Sequence, residues 1–308
     1  MIKKIHHDYI QVSYVYVGAV ITVLFLSLAA TPLDAPSFGL ITPAEEKQPD
    51  VYRLSDFENV EVEAKAFVVY DLLDKKVLAS RNADTPLPLA SLSKMMTAFT
   101  ALSHYGKDTK IKINPGSVEA GYDLGLKKNQ VWSLGEILKY TLVFSSNDGA
   151  RAIADALGGK KAFVEEMNKD SLLLGLSLVF TDPAGLDNGG AIGGQGTALD
   201  VAKLFAVARM RFPEILDATT KTRLTVTASN GKVSGIPNTN QEIGGFFGAE
   251  VSKTGFTDNA GGNLAIVVDV TLGHPVAIVV LGSTREARFK DVETLYDTLL
   301  ASTGKQAQ

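Results

Sequence analysis

The sequence contains no cysteine, which excludes disulfides, a thiol nucleophile and thiolate metal ligation. Histidine is nearly as scarce, with four in the chain, and His6 and His7 sit in the first few residues. A histidine-based catalytic triad has only His104, late in a helical run, and His274, in a hairpin turn, to draw on. Both read as structural or surface residues. No Gly-x-Ser-x-Gly elbow occurs, and the two scattered histidines stand without carboxylates at ligand spacing, so neither a metal nor another cofactor is expected. Excess positive charge is missing too. The formal net charge is -4 and no long Lys or Arg run interrupts it, which excludes nucleic acid as a partner. The one tryptophan, Trp132, and the phenylalanines read as core or cleft walls.

What is present is a globular composition, 45% hydrophobic and 21% charged over 308 residues, enough for a substantial core. One long apolar run extends from about Tyr9 to Ala30 behind Lys3 and Lys4. At roughly 20 residues it matches a bilayer-spanning helix better than the shorter core of a cleaved signal peptide. Ser27-Leu28-Ala29 nevertheless offers small residues at signal-peptidase spacing. Residues 1–8 are expected in the cytoplasm and 9–30 as an anchor or signal. The remainder then lies on the outer face of the cytoplasmic membrane, or is secreted if the segment is cleaved. Residues 31–61, with Pro32, Pro36, Pro43 and Pro49 among acidic residues, read as a tether. Residues 62–301 are expected to be the catalytic domain and 302–308 a tail.

Within that domain, Ala66 to Tyr70 and Val77 to Ala79 are β-prone segments around a turn, and read as a hairpin. Between about Ser91 and Gly196 the pattern is helical, with Leu134, Ile137, Leu138 and Leu142 on one face. Leu264 to Val270 and Val276 to Leu281 read as central strands joined by a turn at Gly273, His274 and Pro275. A final helix over Arg285 to Leu300 follows from the spacing of Phe289, Val292, Leu295, Tyr296 and Leu299. Strands at both ends with helices between them predict an α/β sandwich in which the two ends share one sheet and a helical lobe sits beside it.

Three short patterns carry possible chemistry. Ser91-Leu92-Ser93-Lys94 opens an apolar helical run, and at that spacing the Lys94 amine can approach the Ser91 hydroxyl within one turn. The helix N-terminus favours developing negative charge and a neutral lysine. Alone, the pattern reads equally as a Ser cap with a solvated lysine. Ser145-Ser146-Asn147 falls at a helix junction, where a hydroxyl and an amide two residues apart can face one cleft, or simply cap a helix. Lys253-Thr254-Gly255 precedes a strand and would put a cation, a hydroxyl and a residue without a side chain on a sheet edge. Such an edge suits a peptide ending in a carboxylate, and the Phe256 N–H could join that of Ser91 as an oxyanion hole. A surface turn is the plain reading.

Ser-x-x-Lys, Ser-x-Asn and Lys-Thr-Gly in this order form the signature of the penicillin-recognising serine enzymes, which include penicillin-binding proteins and serine β-lactamases. The neighbouring text, Pro88 to Ala98, Phe163 to Asn168, Asp182 to Asp187, Asn238 to Asn240 and Lys253 to Thr257 with Ala260 and Gly261, resembles the D-Ala-D-Ala carboxypeptidase family. The resemblance covers about Val60 to Ala301. It implies an α+β fold, a central antiparallel sheet flanked by helices with an inserted helical lobe. It further implies an enzyme that removes the terminal D-Ala of peptidoglycan stem peptides and is inhibited by β-lactams. By motif, Ser91 would be the acylating nucleophile, Lys94 the general base and Ser145 the proton relay, with Lys253 beside it. Asn147 would hold the substrate backbone, and Lys253 and Thr254 its terminal carboxylate. Gly255 would let the peptide approach. Ser93, Ser146 and Asp182 depart from the Thr, Gly and Asn usual in the family, without removing a reactive group. The stretch after Gly255 suffices for the sheet and last helix but not for the additional β-rich domain of many relatives.

Endopeptidase action on cross-linked muropeptides would use the same residues. A β-lactamase would need a carboxylate to activate water, for which Glu165 or Glu166 could be put forward, although both read as a solvated helix face. A noncatalytic wall-binding protein would have no use for a nucleophile beside its base.

Overall fold

A computed structural model describes residues 52–118 and 126–303. A 3-10 turn at Leu54–Phe57 leads into the hairpin of β1 (Ala66–Asp71) and β2 (Lys76–Arg81). After the short β3 (Leu87–Pro88), a second 3-10 turn, Ala90–Ser93, runs directly into α1 (Lys94–His104). The three-residue strands β4 (Lys110–Lys112) and β5 (Val131–Ser133) precede α2 (Leu134–Val143), α3 (Asn147–Ala156) and α4 (Lys160–Leu173). Next come β6 (Val179–Phe180), β7 (Gly194–Gly196), α5 (Ala198–Arg211) and the short α6 (Pro213–Leu216). The chain returns through β8 (Arg223–Ala228), β9 (Gly231–Pro237), β10 (Ala249–Thr257), β11 (Gly261–Asp269) and β12 (Pro275–Ser283) to α7 (Ala287–Thr303).

The main sheet has five strands in the order β10-β11-β12-β1-β2, every neighbouring pair antiparallel. The N- and C-terminal parts of the domain therefore share it, as the sequence pattern implied. Its central strands are apolar on both faces because both are covered. Along β1, Ala66, Val68 and Tyr70 face α1, α5 and the helical lobe, whereas Phe67 and Val69 face Val292, Leu295 and Leu299 of α7. Smaller sheets, β4-β5-β8-β9 and β3-β7-β6, brace the lobe. The strands of these sheets that fall between Ser91 and Gly196, β4 to β7, have only two or three residues, too short to show a period of two, which is why the middle of the sequence reads as wholly helical.

The domain borders differ from expectation. Tyr52 and Phe57 are buried against the α7 face of the sheet, so the folded domain begins within the stretch assigned to the tether. Acidic and polar neighbours such as Asp56, Glu58 and Glu61 break up any local apolar period there, and the surface that buries the two aromatics comes from strands distant in sequence. At the other end Ser302 is buried in α7, so the helix continues past the expected start of the tail. Among the described residues no helix is long and apolar enough to cross a membrane. The run at residues 9–30 expected as an anchor lies outside them.

Candidate active site

Ser91 lies in the 3-10 turn that feeds α1, and Lys94 is the first residue of that helix. The turn enters through Ala90 at φ 48°, a left-handed conformation costing a non-glycine residue on the order of 1–3 kcal/mol. Lys94 is fully buried. Its Nζ lies 2.7 Å from Ser91 Oγ and donates to Asn147 Oδ1 at 2.8 Å and to the Ala184 carbonyl at 2.9 Å.

Each of those acceptors is held in turn. Asn147 opens α3, whose N-cap is Ser146, its Oγ accepting the Gly149 N–H at 2.7 Å. The serine standing in place of the family's glycine thus caps a helix. Ala184 belongs to the turn begun by Asp182. Asp182 Oδ1 accepts the Ala184 and Leu186 N–H groups at 2.8 and 3.3 Å, and Oδ2 meets Lys160 Nζ at 2.7 Å. The aspartate in place of asparagine is therefore matched by a cation. Gly185 completes this turn at φ 75°, and a Cβ there would stand 2.0 Å from the Ala90 carbonyl oxygen.

The second hydroxyl, Ser145, sits between α2 and α3 at φ 61°. Lys253, in the edge strand β10, donates to Ser145 Oγ at 2.9 Å and to the Thr254 carbonyl at 2.8 Å. Burial, then the nearby charges of Lys94 and Arg288, pushes the Lys253 ammonium well below the ordinary lysine range. Thr254 Oγ1 donates to Thr239 Oγ1 at 2.7 Å.

Gly255 lines the cleft and also packs closely on the turn that carries Ser91. A Cβ there would meet the Leu89 carbonyl oxygen at 2.8 Å and the Ser91 nitrogen at 3.3 Å. The missing side chain makes room for the serine-bearing turn, and so seats the Ser91 N–H beside β10 next to Phe256.

These side chains border one cleft of about 870 Å³, lined by Ser91, Ser145, Asn147, Thr254, Gly255 and Phe256. The structure thus brings all three motifs together, with the Lys94 and Lys253 amines buried beneath. The cleft also has walls that motif reading missed. Thr239 faces Thr254 from a loop tied down on both sides, since Asn238 Nδ2 donates to the Thr219 and Lys221 carbonyls and Asn240 Nδ2 to Ser252 Oγ. Arg288 Nη1 donates to the Gly255 carbonyl at 2.7 Å, and burial with Arg285 nearby lowers its pKa to about 10. Arg285 lies over the Phe256 ring, 4.0 Å from its centroid. The Asn238-Thr239-Asn240 tripeptide was a visible signal, whereas nothing in the apolar spacing of α7 marks Arg288.

Neither histidine lines the cleft. His104 Nε2 meets Asp170 at 3.1 Å and Glu166 at 3.3 Å. His274 Nε2 meets Asp71 at 2.6 Å, with its ring edge-on to Tyr52. Folding therefore supplies each histidine with carboxylates that sequence spacing did not reveal. Glu166 is engaged by His104 and Lys169, and neither it nor Glu165 lines the cleft.

An antiparallel sheet with a helical lobe, and a serine facing a buried lysine where the two meet, define a serine hydrolase of the penicillin-binding type. The chain belongs to the D-alanyl-D-alanine carboxypeptidase family, peptidase S11, whose profile matches residues 53–285. It is 31% identical over 229 residues to the D-alanyl-D-alanine endopeptidase of Escherichia coli K12, covering 72% of either chain. It is 30% identical over 199 residues to the D-alanyl-D-alanine carboxypeptidase DacB2 of Mycobacterium tuberculosis H37Rv, covering 64% of this chain and 67% of the relative. Among solved structures it resembles penicillin-binding protein D2 of Listeria monocytogenes in its cefotaxime-bound form. The TM-score there is 0.68 at 32% identity, covering 78% of this chain and 98% of that one.

Proposed function

We propose that this serine DD-peptidase removes the terminal D-Ala of peptidoglycan stem peptides through an acyl-enzyme on Ser91, outside the cytoplasmic membrane, to which residues 9–30 anchor it. The observation that carries the reading is the contact of Lys94 Nζ with Ser91 Oγ, 2.7 Å, together with two carbonyl oxygens at 2.8 and 2.9 Å. A neutral amine has two hydrogens for those oxygens and a lone pair for the hydroxyl proton.

Ser91 Oγ attacks the carbonyl of the penultimate D-Ala and its proton passes to Lys94. The tetrahedral oxyanion is received by the N–H groups of Ser91 and Phe256. Ser145, held by Lys253, relays a proton to the departing D-Ala amine, and the peptide C–N bond breaks to leave an ester on Ser91. Water then cleaves the ester and restores the serine. Asn147 holds the substrate backbone. Lys253 and the Thr254 hydroxyl, with Thr239 behind it, receive the terminal carboxylate. β-Lactams acylate the same serine.

A second reading, endopeptidase action on a cross-link, is favoured by the cleft's extension beyond Thr254 past Thr239 to Gln241, Glu242 and Phe246. This leaves room for a leaving group longer than one D-Ala. The β-lactamase reading has no support, because Glu165 and Glu166 stand off the cleft.

The test is to incubate the full chain in detergent with a pentapeptide muropeptide and, separately, with a cross-linked dimer, using Ser91→Ala as control. D-Ala release by the parent alone supports the carboxypeptidase reading, and dimer splitting supports the second. If both substrates stay intact and penicillin forms no adduct with the folded protein, the noncatalytic binding role takes over.

A further inference from the structure

Single exposed apolar side chains are ordinary on a protein surface. Here, the two most exposed large ones, Leu272 and Phe247, lie with Leu73 and Met210 at one end of the main sheet, apart from Leu172 and Leu173 on the lobe. Leu272, at the β11–β12 turn, is fully exposed at 103%. Phe247, in the turn that opens β10, is 89% exposed, and Leu73, in the β1–β2 turn, 60%. Strand register puts these turns together. Asp71 pairs with both Val276 and Lys76, Asp269 with Pro275, and Ala249 with Val268. All three turns therefore leave the sheet at the same end, in a row on the order of 15 to 20 Å long at about 4.8 Å per strand. The C-terminus of α5 arrives there too, because Arg209 pairs with Glu250 at the start of β10, and Met210 beside it is 72% exposed.

The same end receives the chain from the apolar N-terminal run, since the Tyr52 ring packs edge-on against His274, 5.6 Å between centroids. Lys75 follows Leu73 by two residues in the same turn, where anionic headgroups would suit it. We propose that this end of the sheet seats on the lipid bilayer, with Leu73, Met210, Phe247 and Leu272 entering the headgroup region as an interfacial contact. The inference rests on the anchor reading above. Its consequence is orientation. Lys253 pairs with Ala265, seven residues up β11 from Leu272, so the Ser91 cleft is held on the order of 20 Å above the bilayer at about 3.3 Å per residue. The β10–β11 turn points away from the membrane.

The absence of native cysteine allows a direct test. The full chain carrying a single Leu272→Cys, Phe247→Cys or Leu73→Cys substitution is labelled with an environment-sensitive fluorophore and reconstituted in vesicles of phosphatidylethanolamine and phosphatidylglycerol. Asp258→Cys, in the exposed β10–β11 turn at the opposite end, is the reference. Acyl chains brominated near the headgroup should quench the three labels several-fold more than the label at 258. Adding Phe247→Glu should weaken quenching at 272. If the chain floats with the vesicles but all four labels quench alike, the seating is overturned and the anchor stands. A blue shift at 272 or 247 without quenching by brominated lipid would mean that a second copy covers this end, which also overturns the seating. If the chain does not float with the vesicles, the anchor and the seating fall together.

Discussion

Lys94 Nζ and Ser91 Oγ are 2.7 Å apart at the junction of a 3-10 turn and a helix, and neither position is set by the Ser-x-x-Lys pattern alone. The serine depends on Ala90 holding a left-handed backbone, and the lysine on two oxygens delivered by α3 and by the Asp182 turn. The pair is a product of three segments, and its sensitivity to substitution should follow those segments.

Replacing Lys94 with Met should keep the buried volume nearly constant while removing the base. A positioned general base contributes about 10²- to 10⁴-fold. Both kcat/KM for a stem peptide and the rate of penicillin acylation should fall by that order, with the thermal midpoint changed little. An acylation rate close to the parent's would assign the base elsewhere.

Lys253 links stability to pH. Its folded-state pKa is depressed, so between that value and the ordinary lysine value, about 10.4, the unfolded chain binds more protons than the folded one. The cost of the buried charge is constant below the folded pKa and is relieved as pH rises through this window. Lys253→Met should therefore raise the thermal midpoint at neutral pH, by an amount that shrinks in alkaline buffer, while activity is lost. Calorimetry of both proteins across pH checks the sign.

Gly255→Ala should be tolerated poorly, because the new Cβ would stand 2.8 Å from the Leu89 carbonyl oxygen, a contact that backbone must relieve. Overpacking of this kind costs about 1–3 kcal/mol. The displacement should fall on the Ser91 turn, so acylation should slow more than substrate affinity weakens. Single-turnover kinetics separate the two.

Asp182 distinguishes the ion pair from the turn. Asp182→Asn keeps an oxygen for the Ala184 and Leu186 N–H groups and loses only the pairing with half-exposed Lys160, worth about 0–1 kcal/mol. Asp182→Ala leaves those N–H groups without their acceptor, at about 1–3 kcal/mol, and frees the Ala184 carbonyl that meets Lys94. Activity should survive the first change and drop with the second, measured by penicillin acylation alongside denaturant unfolding.

Much of this was legible from residue order. The continuous apolar, β-prone runs at 66–70, 264–270 and 276–281 and the helical spacing at 289–299 report local burial, which a strand or helix writes into its own sequence. The three motifs name the chemistry-bearing side chains and their order, and β10 as a sheet edge followed from the placement of Lys253 before the apolar strand.

What local pattern cannot encode is which distant atoms meet, because that depends on strand register and on how the lobe packs against the sheet. The burial of Tyr52 and Phe57, the carboxylates beside His104 and His274, and the facing of Thr239 and Thr254 all arise from such meetings. So does the close approach of Gly255 to the Leu89 carbonyl and the Ser91 nitrogen. The sequence by itself determined the reactive groups and the type of sheet that carries them. Only the tertiary structure decided their distances, their burial and the strained turns at Ala90 and Ser145, since these follow from segments remote in sequence being packed into one volume.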